Sequence, residues 1–108
     1  MFRSLSNHLL GNEEEHDAVR TLLIRFENLN HHYFEPFLMD KNEPTLKAHI
    51  SKMCQPSTWG TQIEIEAAAC LFQVPVYECV QSQDGETYHW EVHHPRAPAD
   101  RFRHPTIV

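Results

Sequence analysis

Basic residues, glycines and cysteines are all scarce in this sequence, and each shortage excludes something. Nine lysines and arginines stand against fifteen aspartates and glutamates, for a formal net charge of −6. No basic stripe runs along any segment, so a nucleic-acid partner is not expected. No apolar run approaches the roughly 20 residues that span a bilayer, so no membrane partner is expected either. The first residues show no positive-then-apolar signal pattern. The three cysteines, Cys54, Cys70 and Cys79, are odd in number and lack C-x-x-C spacing. That is neither a disulfide framework nor a zinc knuckle. Reduced thiols in a reducing compartment fit best, and the expected location is cytoplasmic or nuclear. No internal repeat is visible, and 108 residues are enough for one domain with a modest core.

Histidine is abundant, with nine in the chain. Two pairs, His31-His32 and His93-His94, are adjacent, and neighbours on a strand point to opposite faces. No H-x-x-x-H falls on an expected helix and no Cys–His pair has zinc spacing. No metal site and no cofactor are therefore expected.

The organising stretch runs from Trp59 to Tyr77. Thr61 and Glu64 have capping-box spacing. Ile63, Ala67, Cys70 and Leu71 share a face that Ile65, Ala68, Ala69 and Phe72 widen until little polar surface is left, which marks a central buried helix. Pro75 is expected to stop it, and Val74 to Val80 suits a strand. Asp84-Gly85 is a turn signal. Thr87 to Val92 alternates, with Tyr88, Trp90 and Val92 on one face, so the two runs make a hairpin.

Three further helices precede this unit. Met1 to Leu10 is helical, with Phe2, Leu5, Leu9 and Leu10 on one face and Gly11 as a left-handed terminator. No residue stands ahead of Met1 to cap the first turn, which suggests a helix cut short. Asn12-x-x-Glu15 has a cap-like spacing, and the acidic triplet Glu13 to Glu15 suits the positive end of a dipole. The helix expected behind it, at about Glu13 to Leu29, buries Val19, Leu22, Leu23, Phe26 and Leu29. Asn30 to Met39 is aromatic-rich and is broken by Pro36. Asp40 to Asn42 is a loop. Pro44 suits the first turn of a third helix whose apolar face is Leu46, Ile50 and Met53. Residues 95–108, with Pro95, Pro98, Pro105, Arg96, Arg101 and Arg103, read as an exposed irregular tail. Residues 1–94 are the expected domain. The fold class is α+β, with helices packed on a small β-sheet. One hairpin is too little for an independent sheet, so the sheet is expected to be incomplete in this chain.

Candidate chemistry is sparse. A nucleophilic cysteine wants a helix N-terminus or a cationic neighbour. Cys70 lies inside the apolar helix, Cys79 is mid-strand and expected to pack, and Cys54 sits at a helix C-terminus where the dipole disfavours a thiolate. Trp59-Gly60 is the most specific local feature. Trp59 reads structurally as sealing the core edge and Gly60 as permitting tight entry into the helix. Functionally the two read as a wall of a substrate groove.

Taken together, these residues resemble the ovarian-tumour (OTU) family of cysteine deubiquitinases. Met1-Phe2-Arg3-Ser4-Leu5-Ser6 is similar to the family segment directly after the nucleophile of Asp-Gly-x-Cys. Leu10-Gly11-Asn12 is similar to the family's Gly-Asn turn, and His16-Asp17-Ala18-Val19-Arg20 to its His-x-x-x-Arg helix. Trp59-Gly60-Thr61-Gln62-Ile63-Glu64-Ile65 resembles the family's Trp-Gly-x-x-Ile/Leu-Glu-Ile/Leu, Val74 to Tyr77 its core strand, and Tyr33, Phe34, Phe37 and Met39 its aromatic stretch. The resemblance covers about Met1 to Val92 and implies a papain-like OTU-type fold. It also implies hydrolysis of isopeptide bonds to ubiquitin or a ubiquitin-like protein by Cys–His chemistry, without a cofactor.

The family's nucleophile would fall immediately before Met1, and its general-base histidine beyond the hairpin. His89, His93, His94 and His104 are not followed by the family's Tyr or Phe, so no catalytic residue is assigned. The chain is expected to be a partial, inactive portion of such a peptidase, with Trp59 and Gly60 as substrate-binding residues. The alternative is a non-catalytic ubiquitin- or protein-binding pseudo-enzyme. A third reading is a small structural domain with a histidine-mediated metal or pH response. Oligomeric state is not legible.

Overall fold

The computed structural model of the chain describes residues 1–38, 45–55 and 58–105. Five α-helices and one antiparallel hairpin are placed among them. The central element is α5, Gln62–Phe72, in which every residue from Ile63 to Cys70 is buried. Its capping box forms as the spacing predicts. Thr61 Oγ1 accepts from the Ile63 amide at 3.3 Å, and Glu64 Oε1 accepts from the Thr61 amide at 2.8 Å. The helix ends before Pro75 acts. Gln73 adopts the left-handed conformation (φ 54°), and its side chain donates to the carbonyls of Cys70 and Ala97. Those two bonds offset the steric cost of a positive φ on a non-glycine residue.

Against α5 packs α2 (His16–Leu29), and against α2 pack α1 (Phe2–Leu10) and α4 (Leu46–Met53). Gly11 closes α1 with φ 80°, the conformation glycine reaches without a Cβ clash. The second helix starts at His16, three residues later than expected. Asn12 Oδ1 accepts from the Glu14 amide at 3.0 Å, and this local turn takes the place of a cap, leaving α2 without a side-chain cap bond. Val19, Leu23 and Phe26 are buried as the periodicity requires, whereas Leu29 is exposed. Thr45 caps α4 by accepting from the Ala48 amide. The expected loop at Asp40 to Asn42 and the expected role of Pro44 lie outside the described residues. The aromatic stretch is a short helix, α3 (His31–Phe34), followed by a 3-10 turn, Glu35–Phe37.

Two expectations are overturned by packing. The hairpin of β1 (Val76–Gln81) and β2 (Tyr88–His93) pairs Tyr77 with Val92, Cys79 with Trp90 and Gln81 with Tyr88. That is its apolar face, and it is turned outward: Tyr77, Tyr88 and Trp90 are all more than 60% exposed. Cys79 is likewise exposed rather than packed. The face turned to α5 carries Glu78 and His93, because His93 Nδ1 reaches Glu66 Oε1 of α5 at 3.1 Å.

The segment after Pro95 is not an exposed tail. Phe102 is 7% exposed, with its ring 5.2 Å from Phe26 and 4.9 Å from Tyr33. Asn30 holds the segment at two points, donating to the Arg103 carbonyl and accepting from its amide, both at 2.8 Å. A phenylalanine among prolines and arginines contributes burial (about 1.5–3 kcal/mol for a full side chain) that periodicity does not register.

Beneath α5 three helices share a buried polar node. Glu27 of α2, His49 of α4 and Glu64 of α5 are all essentially inaccessible. His49 Nε2 lies 2.8 Å from Glu64 Oε2 and 4.0 Å from Glu27 Oε1. Burial, reinforced by the Glu64 charge, pushes the Glu27 carboxyl up to about 11, so it is neutral at pH 7. Burial also opposes ionisation of Glu64, but hydrogen bonds from His49 and the cap outweigh it and hold its carboxyl low. A group whose folded pKa is raised weighs against the fold as pH climbs above its unfolded value of about 4.5, because the unfolded chain then releases a proton the native state keeps. Glu27→Gln should therefore stabilise the protein by on the order of 3 kcal/mol at pH 7, and by little at pH 4. Denaturant unfolding of both proteins at the two pH values measures the difference.

Candidate functional site

The site begins at Arg20. It lies on the same stripe of α2 as Leu23 and Glu27, and it is 8% exposed. Its Nη1 donates to the Met53 carbonyl at 3.1 Å and its Nη2 to the Thr58 carbonyl at 2.6 Å. Its guanidinium carbon sits 4.2 Å from the centre of the Phe2 ring. One side chain thus ties α1 and α2 to the C-terminal end of α4 and to the extended entry of α5. A lysine has one donor head where this arrangement uses a planar fork.

What Arg20 fixes is a shallow groove of about 200 Å³ lined by Met1, Phe2, Arg3, His16, Arg20, Thr58, Trp59 and Gly60. Trp59 does not seal the core. It is 83% exposed and projects beside the N-terminal end of α1. Gly60 is not required by its backbone conformation, since the positive-φ glycines are Gly11 and Gly85. A Cβ at Gly60 would lie 2.6 Å from Met1 Sδ, so the flexible Met1 side chain would have to shift to admit one. The two residues expected to wall a groove are therefore brought to one, together with His16 and Arg20 of the His-x-x-x-Arg segment. His16 Nδ1 is 3.3 Å from Asp17 Oδ1.

The three cysteines sit in three different settings. Cys70 is buried, and burial pushes its thiol up against the opposing contacts of Arg96 and Tyr33. Tyr33 in turn is raised to about 12 by burial and by Cys70. Cys54 is the exposed C-cap of α4, and Cys79 faces solvent opposite Trp90. Among the described residues, no hydrogen bond joins a cysteine to a histidine.

Two carboxylate–histidine groups bring potential metal donors within 4.8 Å of one another: Glu27, His49 and Glu64, and separately Glu78, Glu91 and His93. The first is sealed in the core. In the second, burial disfavours a charged His93, but hydrogen bonds to Glu66 and Glu78 prevail and raise its pKa. Arg96 Nε completes that network at 3.3 Å from Glu66 Oε2. Sequence patterning singled out none of Arg20, Glu27, His49 or Glu66 as site residues. The signal was present: each is a polar residue at an apolar-stripe position of its helix.

The chain matches the family described as OTU-like cysteine proteases over residues 1–103. It is 31% identical over 70 residues to an ovarian tumor domain-containing deubiquitinating enzyme 7 of Arabidopsis thaliana, a match covering 65% of this chain and 18% of that protein. Its fold superposes on the structure of the OTUD1 OTU domain with a TM-score of 0.72 at 16% identity, covering 90% of this chain and 62% of that one. The chain spans less than two thirds of the length of either. The mixed α+β class expected from the sequence agrees with this likeness.

The contrast between the two groove residues is measurable. Arg20→Lys should cost about 2–3 kcal/mol, since buried carbonyls lose a charged donor. Trp59→Ala should stay within about 0.5 kcal/mol, as expected of an exposed side chain. Urea unfolding of the two variants reads both, and a large loss on Trp59→Ala would show that the indole packs.

Proposed function

This chain belongs to the OTU-like cysteine protease family, and from that premise we propose that it is the core and substrate wall of a peptidase acting on isopeptide bonds to ubiquitin or a ubiquitin-like protein. The observation that carries the proposal is the groove beside the start of α1, with Trp59 exposed over Gly60 and held there through Arg20. Exposed tryptophans backed by a rigid support are typical anchors for a protein partner. The groove also lies against the N-terminal end of a nine-residue helix, the electrostatic setting that favours a thiolate.

The 108-residue chain itself is proposed to have no hydrolase activity, and its three cysteines support this. One is a raised, buried thiol, one caps a helix C-terminus, and one lies on an open sheet face. Among the described residues, none is hydrogen-bonded to a histidine base, as nucleophilic catalysis requires. The second reading, a non-catalytic module that holds ubiquitin or another protein, is favoured by the same groove being formed without that chemistry. Three free thiols support a reducing location, cytoplasmic or nuclear.

A ubiquitin probe with a thiol-reactive C-terminus should leave the chain unmodified. Covalent capture by Cys54 or Cys79 would refute inactivity. In an NMR titration with ubiquitin, the Trp59 indole and Gly60 amide should shift, and Trp59→Ala should weaken binding roughly tenfold or more. An unchanged spectrum at high ubiquitin concentration would remove the binding-module reading.

A further inference from the structure

The hairpin face turned to α5 holds donors that the peptidase reading does not use. His89, Glu91 and His93 alternate along β2 and so share one face. The register places Glu78 of β1 directly opposite Glu91. Like charges facing across a ladder repel, and here a histidine lies beside them. His93 Nε2 is 3.0 Å from Glu78 Oε1, and His89 Nε2 is 3.3 Å from Glu91 Oε1. Ligands 2.0–2.1 Å from a tetrahedral zinc ion are about 3.3 Å apart; the His93–Glu78 spacing is close to such an edge, and the donor atoms of Glu78, Glu91 and His93 all lie within 4.8 Å of one another.

The outer support is in place as well. His93 Nδ1 lies 3.1 Å from Glu66 Oε1, a carboxylate 1% exposed and ion-paired through its other oxygen to Arg96. A buried carboxylate that takes the far nitrogen of a histidine fixes its tautomer and aims the remaining nitrogen, as in carboxylate–histidine–zinc arrangements. On the open side, the Glu91 side chain is 47% exposed and that of Glu78 35%. An ion can enter there and keep a water in its fourth position. We propose that Glu78, Glu91 and His93 bind a divalent transition-metal ion of the zinc class, with Glu66 orienting His93 and His89 beside the open position. The site links the hairpin to α5 and is independent of the Trp59 groove.

Titration of the 108-residue chain with zinc chloride by calorimetry tests this, because the ligands Glu78 and Glu91 lie at the partly exposed rim and can be changed without opening the core. The expected result is one zinc per chain, with affinity reduced at least about tenfold by Glu91→Gln or by Glu78→Gln. The His31→Ala/His32→Ala control should bind as the parent does. The His93 ring signals should move on zinc addition, which places the ion. No binding at millimolar zinc would overturn the proposal. So would binding that neither carboxylate variant weakens tenfold, because the ion would then sit on other histidines.

Discussion

One carboxylate holds the helical layer together. Glu64 Oε1 accepts from both the amide and the hydroxyl of Thr61, at 2.8 and 2.7 Å, while Oε2 lies 2.8 Å from His49. The same group therefore caps α5 and joins it to α4. With the neutral Glu27 of α2 beside it, three helices converge on one charge. A buried carboxylate is tolerable only when its lone pairs are occupied, so the position of each helix is constrained by the others. The apolar residues of α5 supply burial, and this node supplies geometry.

Arg20 extends that constraint to the surface. It lies on the stripe of α2 that also carries Glu27, and its guanidinium reaches two backbone carbonyls, one at the end of α4 and one just ahead of Trp59. An arginine with carbonyl partners and an aromatic ring beneath it is held in one rotamer. The entry to α5 is held with it, which is why an exposed tryptophan can still occupy a defined place. The Met1 side chain lies directly against Gly60. The family resemblance in Trp-Gly and in His-x-x-x-Arg thus has a shared structural basis, for these two segments are one assembly.

The hairpin shows the opposite arrangement. Its aromatic face is open, and the end of the other face that carries Val76, Glu78 and His93 is turned toward α5. That orientation is set by Glu66 of α5, whose buried carboxylate pairs with His93 and Arg96, together with Val76, which packs against the core. Hydrophobic alternation predicts that two faces differ. It does not say which one meets the core when the neighbouring helix presents a carboxylate.

Local patterns in the sequence determined a good deal. The capping box at Thr61, the near-continuous apolar run of α5, the αL glycine at Gly11, the stripe of α2 and the Asp-Gly turn each depend on residues close together in the chain, most within about one or two helical turns, so linear order suffices. The tertiary structure alone decided what depends on residues far apart in the chain: Phe102 against Phe26 of α2, Arg103 against Asn30, Glu27 beside His49 and Glu64, and His93 between Glu66 and Glu78. It also decided that Trp59 projects rather than packs. The reason is physical. Local propensity and capping are summed along the chain, whereas a buried charge is stabilised by partners that arrive only when the helices meet, and periodicity carries no record of which partners those are.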